Sequence, residues 1–303
     1  MKFARVPLVA FGVLLGSAAA LAQFTDGFEA YNNGPLTPQG GWQIWYTGGD
    51  DGTVIDTSAH TGAKSLRLDL PGGAVGGTDV VQTFNIAGGQ WAFSAWTYVP
   101  SNAGGILNRD GYLIFLNNYN GQPNPVADHW SMQVRFSATQ GVVESQFDGG
   151  TLPLIYDQWV EFRVYIDLVN DKFKEYYGGQ LLATNLQWTT NVSGGNPPGT
   201  LTIACLDLYS DSIADMLIDD VSLQPVVLCP GDINGDNQTC QADLGILLSK
   251  YGCCEVDPCW DSTAVAANLS PGDTGGACGP LEEGITQADL GVLLADYGCG
   301  GCQ

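Results

Sequence analysis

The feature that most constrains this 303-residue chain is an alternation of apolar and polar residues that recurs across its first two-thirds. HWSMQVRF (129–136) places Trp130, Met132 and Val134 on one face, and WVEFRVYID (159–167) alternates in the same way. Similar runs, separated by clusters of Gly, Asn, Asp and Pro, are KSLRLDL, DVVQTFN, QWAFSAWTYV, YLIFLNN, LTIACLDLY and DMLIDDVSL. Because no helical pattern stands between these runs, they predict a mainly β protein with an antiparallel two-sheet sandwich over residues 23–225.

The N-terminal 22 residues have the pattern of a signal peptide. Lys2 and Arg5 precede the apolar run VPLVAFGVLLGSAAA, and the sequence ALA supplies the small residues of a cleavage site before Gln23. We therefore expect residues 1–22 to be removed and the protein to be secreted, to the extracellular space or the cell surface. The alternative, a retained anchor, requires an unusually short membrane-spanning helix, and no second segment is apolar enough to span.

Acidic residues outnumber basic residues by 32 to 10, which gives a net charge of −22. Removal of the signal peptide takes away two basic residues and leaves −24. Nucleic acid and anionic lipid are bound through Lys and Arg, so this charge argues against both as partners. Divalent cations and neutral polymers remain, although acidity that keeps a secreted protein soluble would explain much of the charge.

Eight of the nine cysteines lie in the last 75 residues, which marks a second, small module at 229–303. A core of this size needs covalent support, and an oxidising compartment permits it, so we predict disulfides. Zinc is the competing interpretation, but neither histidine lies in this module. Cys205 stands alone in an apolar run and is predicted to be a buried, unpaired residue.

The first module resembles the concanavalin A-like jelly rolls of laminin-G-like and carbohydrate-binding domains. The resemblance rests on the opening DGFEAY, the segment DQWVEFRVYIDLVNDKFKEYYGGQLL and the closing IDDVSL. It implies that the first and last strands pair and that acidic residues there could hold a structural calcium ion; the candidates are Asp26, Glu29, Asp219 and Asp220. Carboxylates that merely face solvent at strand ends are the alternative.

Catalytic motifs are missing from the sequence, whereas aromatic residues are abundant. The E-x-D-x-E string of laminarinase-type jelly rolls does not occur, and neither do G-x-S-x-G or H-E-x-x-H. Trp and Tyr rings stack on the apolar faces of sugars, so aromatic residues of the first module are candidate ligand-binding residues; they are Trp42, Trp45, Trp96 and Tyr98. Core packing is the alternative for each of them.

The segment GDINGDNQTCQAD has the oxygen spacing of an EF-hand calcium loop. Counted from Asp232, side-chain or backbone oxygens fall at positions 1, 3, 5, 7 and 12, which are Asp232, Asn234, Asp236, Gln238 and Asp243. Position 6 is Asn237 where Gly is usual, and position 12 is Asp where Glu is usual. We predict that Ca²⁺ binds this loop.

This loop and the helix after it resemble one half of a type I-like dockerin, and the chain ends on a second copy. ADLGILLSKYG and ADLGVLLADYG repeat an apolar stripe, Leu244, Leu247, Leu248 and Tyr251 in the first and Leu290, Leu293, Leu294 and Tyr297 in the second. The two stripes are expected to pack against each other. The pseudo-twofold that the resemblance implies would bring Cys229 to Cys299 or Cys302, and Cys253 or Cys254 should pair locally with Cys259.

The second calcium loop is less regular than the first. If Asp289 is its position 12, then Cys278, Pro280 and Glu282 occupy positions 1, 3 and 5, which is a poor donor set. An expanded loop would instead offer Asn268, Ser270, Asp273, Glu282 and Glu283.

Dockerins bind cohesin domains through loop positions 10 and 11. Here those positions are Gln241 with Ala242 and Gln287 with Ala288, identical pairs that would allow two binding orientations. The sequence thus favours a secreted, non-catalytic glycan-binding protein that a calcium module attaches to a cohesin-like domain or cell-surface component. The alternatives are a polysaccharide-active enzyme and a structural surface protein with a calcium-stapled cap.

Overall fold

The fold comes from a computed structural model that describes residues 24–45, 50–68, 77–101, 110–121, 128–146, 149–190, 199–211, 216–226, 228–236, 238–272, 278 and 282–302. The predicted signal peptide, residues 1–22, lies outside them. Among the residues described, no helix combines the length and the apolar character needed to cross a membrane.

Sixteen strands precede the cysteine-rich module within the described ranges. They are β1 (Phe24–Asp26), β2 (Gly34–Pro35), β3 (Gln43–Ile44), β4 (Thr53–Ile55), β5 (Ser65–Leu68), β6 (Asp79–Ala87), β7 (Gln90–Tyr98), β8 (Asp110–Asn118), β9 (His129–Ser137), β10 (Val142–Ser145), β11 (Thr151–Pro153), β12 (Trp159–Asp167), β13 (Lys172–Tyr177), β14 (Gln180–Leu186), β15 (Thr202–Asp211) and β16 (Met216–Pro225).

These strands form two antiparallel sheets. The nine-stranded sheet has the order β14-β13-β12-β7-β16-β5-β4-β2, with β1 also paired to β16, and the seven-stranded sheet has the order β11-β10-β9-β8-β15-β6-β3. The first and last strands pair, as expected, with Phe24 opposite Leu223. The predicted fold class, a mainly β jelly-roll sandwich followed by a small α-helical, disulfide-rich module, is confirmed.

The core lies between the sheets and follows the alternation in the sequence. Val160, Phe162, Val164 and Ile166 of β12 are buried in it, as are Met132 and Val134 of β9. The prediction that Trp130 shares a face with Met132 and Val134 is wrong, because Trp130 belongs to a separate aromatic cluster and not to this core. The pairing of β8 with β9 shifts register on both sides of Leu116, which faces Trp130, and this irregularity changes the face on which Trp130 lies.

The C-terminal module has three short helices, α1 (Gln241–Lys250), α2 (Ser262–Ala267) and α3 (Gln287–Asp296). Four disulfides join its eight cysteines: Cys229–Cys299, Cys240–Cys302, Cys253–Cys259 and Cys254–Cys278. The predicted link from Cys229 to the C-terminus and the local link to Cys259 are confirmed. Cys205 is buried and free, also as predicted.

The expected packing of the two leucine stripes is only half correct. Leu247 and Leu293 are fully buried together with Ala264 and Ala267 of α2, so the unforeseen α2 supplies part of the core. The other ends of the stripes face outward: Leu248, Tyr251, Leu294 and Tyr297 are 54%, 49%, 54% and 48% exposed. Ten-residue helices around so small a core bury only a narrow stripe each.

Candidate functional site

The first C-terminal loop turns around Asp232, whose side chain is buried. Its Oδ1 accepts hydrogen bonds from the backbone N–H groups of Gly235, at 2.7 Å, and Asp236, at 3.1 Å. The N–H of Asp236 also donates to Oδ1 of Asn234 at 3.0 Å, and Oδ1 of Asp236 accepts from the N–H of Gln238 at 2.9 Å. The oxygens predicted at positions 1, 3 and 5 therefore lie along one tight turn.

Asp243 closes this loop from the first turn of α1. It is fully buried, and its Oδ1 accepts the N–H groups of Ile233 at 2.8 Å and Asn234 at 3.1 Å. Its Oδ2 accepts the N–H of Cys240 at 2.8 Å, immediately before the helix. One carboxylate thus ties the start of the loop to the N-terminus of α1, where a negative charge is stabilising.

Asp289 has the same position in the second repeat. It is fully buried, and it accepts the N–H of Ser270 at 2.9 Å through Oδ1 and that of Thr286 at 2.7 Å through Oδ2. Ser270 therefore corresponds to Asn234, which agrees with the expanded form of the second loop. Glu283 accepts from the side-chain amide of Asn268 at 2.6 Å. Asp273 and Pro280 lie outside the described residues.

The donor chemistry of the first loop fits Ca²⁺. All the side chains at positions 1, 3, 5 and 12 offer oxygen, the ligand atom that this ion prefers. The carboxylates of Asp232, Asp236 and Asp243 do not bring one oxygen each within 4.8 Å of one another. Two oxygens on opposite sides of one Ca²⁺ ion lie about 5 Å apart at ligand distances of about 2.3–2.6 Å, so this spacing does not argue against a shared ion.

Another group of potential ligand atoms is explained by a disulfide. Among the described residues, atoms of Cys229, Asp296 and Cys299 lie within 4.8 Å of one another. The two sulfurs are bonded to each other and are not thiolate ligands. Asp296 instead accepts from the N–H of Gly231 at 2.8 Å and the hydroxyl of Thr239 at 2.6 Å, which are structural contacts.

The residues predicted to bind a partner begin the two matching helices. Gln241, Ala242 and Gln287 are exposed, and Ala288 is half-buried. Each pair therefore starts a helix that also carries exposed apolar residues nearer its end.

Asp26, one of the candidate structural metal ligands, is a hydrogen-bond acceptor for core residues. Its Oδ1 accepts from the N–H of Phe28 at 2.9 Å. Its Oδ2 accepts from the hydroxyl of Tyr31 at 2.5 Å and from the indole Nε1 of Trp42 at 2.8 Å. Trp42 is fully buried, so the prediction that it binds a ligand is wrong. Its ring fills the core, and its one polar atom is satisfied by Asp26.

The other three candidates tie the segment 60–64 to the sandwich. Asp219, which is fully buried, accepts from the N–H of His60 at 2.7 Å, and burial raises its pKa to about 6. Asp220 contacts Nδ1 of His60 at 2.6 Å. Glu29 accepts the N–H groups of Ala63 and Lys64 at 2.8 Å and 2.7 Å, and these bonds lower its pKa. A calcium ion here stays a prediction.

Trp96 and Tyr98 lie half-buried on the outer face of the nine-stranded sheet. His60 stacks on Trp96, with ring centroids 3.6 Å apart and an interplanar angle of 12°. Trp159 lies 5.6 Å from Tyr98. One face of Trp96 is therefore already occupied by a residue of the chain itself.

The outer face of the seven-stranded sheet carries a second aromatic group, which we call the outer aromatic cluster. Trp45 lies at its centre, 5.1 Å from Tyr119 and 5.8 Å from Trp130 between ring centroids. Tyr112 and Tyr209 lie beside each other at 5.4 Å. Trp45 is 5% exposed, whereas the other four rings are half-buried and reach the surface.

Two carboxyl groups that the sequence analysis did not select lie on the same face. Asp79 of β6 and Asp207 of β15 are diagonal neighbours, and their side chains are hydrogen-bonded to each other. Burial raises the pKa of both well above the usual value for Asp. Oδ1 of each is buried without a hydrogen-bond partner among the described residues, as is Oδ2 of Asp128. The pair therefore retains one proton between two oxygens and presents unsatisfied acceptors.

No family model matches the sequence, and no curated protein matches it. Among solved structures, the cellulose induced protein Cip1 is 15% identical, with a TM-score of 0.44, over 67% of this chain and 97% of its own. A Bacillus licheniformis beta-glucanase is 14% identical, with a TM-score of 0.40, over 69% of this chain and 100% of its own. Domain 4 of AbnA, an extracellular arabinanase from Geobacillus stearothermophilus, in complex with arabinotriose, is 14% identical, with a TM-score of 0.36, over 71% and 88%. At these low identities, the similarity does not assign functional residues to this chain.

Proposed function

We propose that the protein is an exported glycan-binding protein whose C-terminal module binds Ca²⁺ and attaches it to a cohesin-like domain or a cell-surface component. The observation that carries the glycan proposal is the outer aromatic cluster, four of whose five rings reach the surface. Aromatic rings stack on the apolar faces of sugars.

The charge of the chain narrows the glycan class. With a net charge of −22, the protein repels acidic polysaccharides, and the carboxyl pair adds acidity at the site itself. A neutral polysaccharide is the ligand that avoids both penalties. Export is supported by the four disulfides, which are stable in an oxidising compartment.

Replacing Trp130 with Ala should weaken binding to a neutral polysaccharide about tenfold or more, because loss of an aromatic ring that anchors a ligand typically removes about 1.4 kcal/mol or more of binding free energy. Affinity electrophoresis against a panel of neutral and acidic polysaccharides measures the effect. Trp96→Ala, on the opposite sheet, is the matched control and should bind like the parent. Equal loss in both variants, or no retardation of the parent by any neutral polysaccharide, would refute this site. Release of shorter sugars during incubation would favour the enzyme alternative.

Attachment through the module should depend on both helix starts. Because Gln241 and Gln287 begin equivalent helices, Gln241→Arg or Gln287→Arg alone should leave binding to a cohesin-like domain almost unchanged. The double variant should lose about tenfold or more in affinity, since neither orientation then remains. Biolayer interferometry against a panel of cohesin domains, with Ca²⁺ or with chelator, tests this. Binding that one substitution alone abolishes would argue against two equivalent orientations.

A further inference from the structure

The first C-terminal loop lies against the outer face of the nine-stranded sheet, where Tyr165 of β12 pairs with Lys174 of β13. The hydroxyl of Tyr165 donates to the carbonyl oxygen of Gly235 at 3.1 Å. A Cβ atom at Gly235 would lie 2.9 Å from Cε1 of Tyr176, and its φ of +82° also favours glycine. Tyr165 and Tyr176 are 3% and 5% exposed. The sandwich therefore forms one wall of the calcium loop.

A lysine of the sandwich points into this contact. Nζ of Lys174, on β13, lies 3.7 Å from Oδ2 of Asp232 and donates to the carbonyl oxygen of Asp232 at 3.3 Å. It also lies 5.3 Å and 5.5 Å from the ring centroids of Tyr165 and Tyr176. The Asp232 side chain is 1% exposed and that of Lys174 is 23% exposed, so water screens this ion pair less than a surface pair.

Asp232 is position 1 of the loop, where Ca²⁺ takes a side-chain oxygen. An ion held there and the ammonium group of Lys174 would face the same carboxylate at close range. Two cations at one carboxylate repel each other, and a partly buried site strengthens that repulsion.

The second loop has a different environment. The basic residue of the C-terminal module, Lys250, is paired with Asp261 at 2.6 Å, and Asn268, the counterpart of Asp232 in the expanded second loop, donates to Glu283 of the same module at 2.6 Å. The contact with a lysine of the sandwich therefore distinguishes the first loop from its repeat.

We propose that Lys174 competes with Ca²⁺ for Asp232, so that the sandwich lowers the calcium affinity of the first loop. The inference rests on the calcium binding proposed above. By linkage, calcium in the loop weakens the attachment of the loop to β13 by the same factor, so ion binding and docking of the two modules are coupled. The calcium concentration at which the first loop is filled therefore depends on its contact with the sandwich.

Isothermal titration of Ca²⁺ into the full chain, at low ionic strength, measures this coupling. Lys174→Met should bind about tenfold or more tightly than the parent, because it removes the competing charge and keeps most of the side-chain volume. Lys174→Arg keeps the charge and should bind like the parent. Lys172→Met, on the same strand, is the matched control and should also leave the affinity unchanged. Asp232→Asn identifies which heat signal belongs to the first loop.

Each outcome decides between the two proposals. If the parent and Lys174→Met bind Ca²⁺ equally, or the variant binds more weakly, the competition is wrong while calcium binding stands. If Lys174→Met binds Ca²⁺ at the first loop and the parent does not, Lys174 competes strongly enough to prevent binding in the parent. If neither protein gives a signal that Asp232→Asn removes, calcium binding itself fails and the competition fails with it. Thermal unfolding in chelator checks folding, where Lys174→Met should melt close to Lys172→Met.

Discussion

Replacing Asp243 with Ala is expected to destabilise the C-terminal module by about 3 kcal/mol or more, with or without Ca²⁺, because each buried N–H left unsatisfied costs about 1–3 kcal/mol. The carboxylate accepts three backbone N–H groups, from Ile233, Asn234 and Cys240, and no other single side chain joins the loop to α1 in this way among the described contacts. Calorimetry of the full chain, together with hydrogen exchange at these three amides, measures the loss.

Asp236→Ala is the matched control. Asp236 belongs to the same predicted donor set but is exposed, and its Oδ1 accepts one backbone N–H, that of Gln238. Its loss should remove the stabilisation that the proposed Ca²⁺ binding would provide and should change the melting temperature in chelator only slightly. The comparison separates a metal ligand from a residue that also holds the loop together. If Asp243→Ala melts like the parent in chelator, the loop does not depend on this carboxylate for its structure.

The sheets could be predicted from the sequence because their signal is local. Alternation in WVEFRVYID needs only neighbouring residues, and Val160, Phe162 and Val164 face the core as expected. Trp130 shows the limit of this reasoning. Its parity matches Met132, but a register shift against β8 breaks the alternation between them. Register shifts depend on the partner strand, and the sequence of a single strand does not identify its partner.

The module shows both success and failure of pattern reasoning. Asp232 and Asp243 are both buried and both accept backbone N–H groups of the same loop, whereas the calcium binding predicted from their spacing stays a prediction. The helix α2 was missed although a signal exists: Asp261 accepts the N–H groups of Thr263 and Ala264, each at 3.0 Å, and begins a run of small residues. Because α2 was not predicted, the two leucine stripes were expected to be buried only against each other.

The Asp79–Asp207 pair could not be found from spacing. The two residues lie on strands far apart in sequence and meet only because β6 pairs with β15. A polar residue within the apolar run LTIACLDLY was the available signal for Asp207. The partner of such a residue is set by topology, which the alternation does not determine.

Asp207→Asn should make the sandwich more stable at neutral pH, on the order of 1–3 kcal/mol, because burial penalises the charged form of the side chain. Burial raises the pKa of Asp79 and Asp207 in the folded state above the value of about 3.9 that Asp has in an unfolded chain. The folded protein therefore holds a proton that the unfolded chain releases. This proton stabilises the folded protein fully at pH values below the pKa of Asp in the unfolded chain. The stabilisation is lost as pH rises through the pKa values of the folded state.

The asparagine variant keeps the shape of the side chain and can donate to Asp79 without a shared proton. The difference in melting temperature between Asp207→Asn and the parent should consequently be small near pH 4 and grow toward about pH 8, which thermal unfolding across this range measures. Asp211→Asn, an exposed carboxylate at the end of the same strand, should show no such trend. Should Asp207→Asn be less stable than the parent at neutral pH, the carboxylate must be ionised and stabilised by another group.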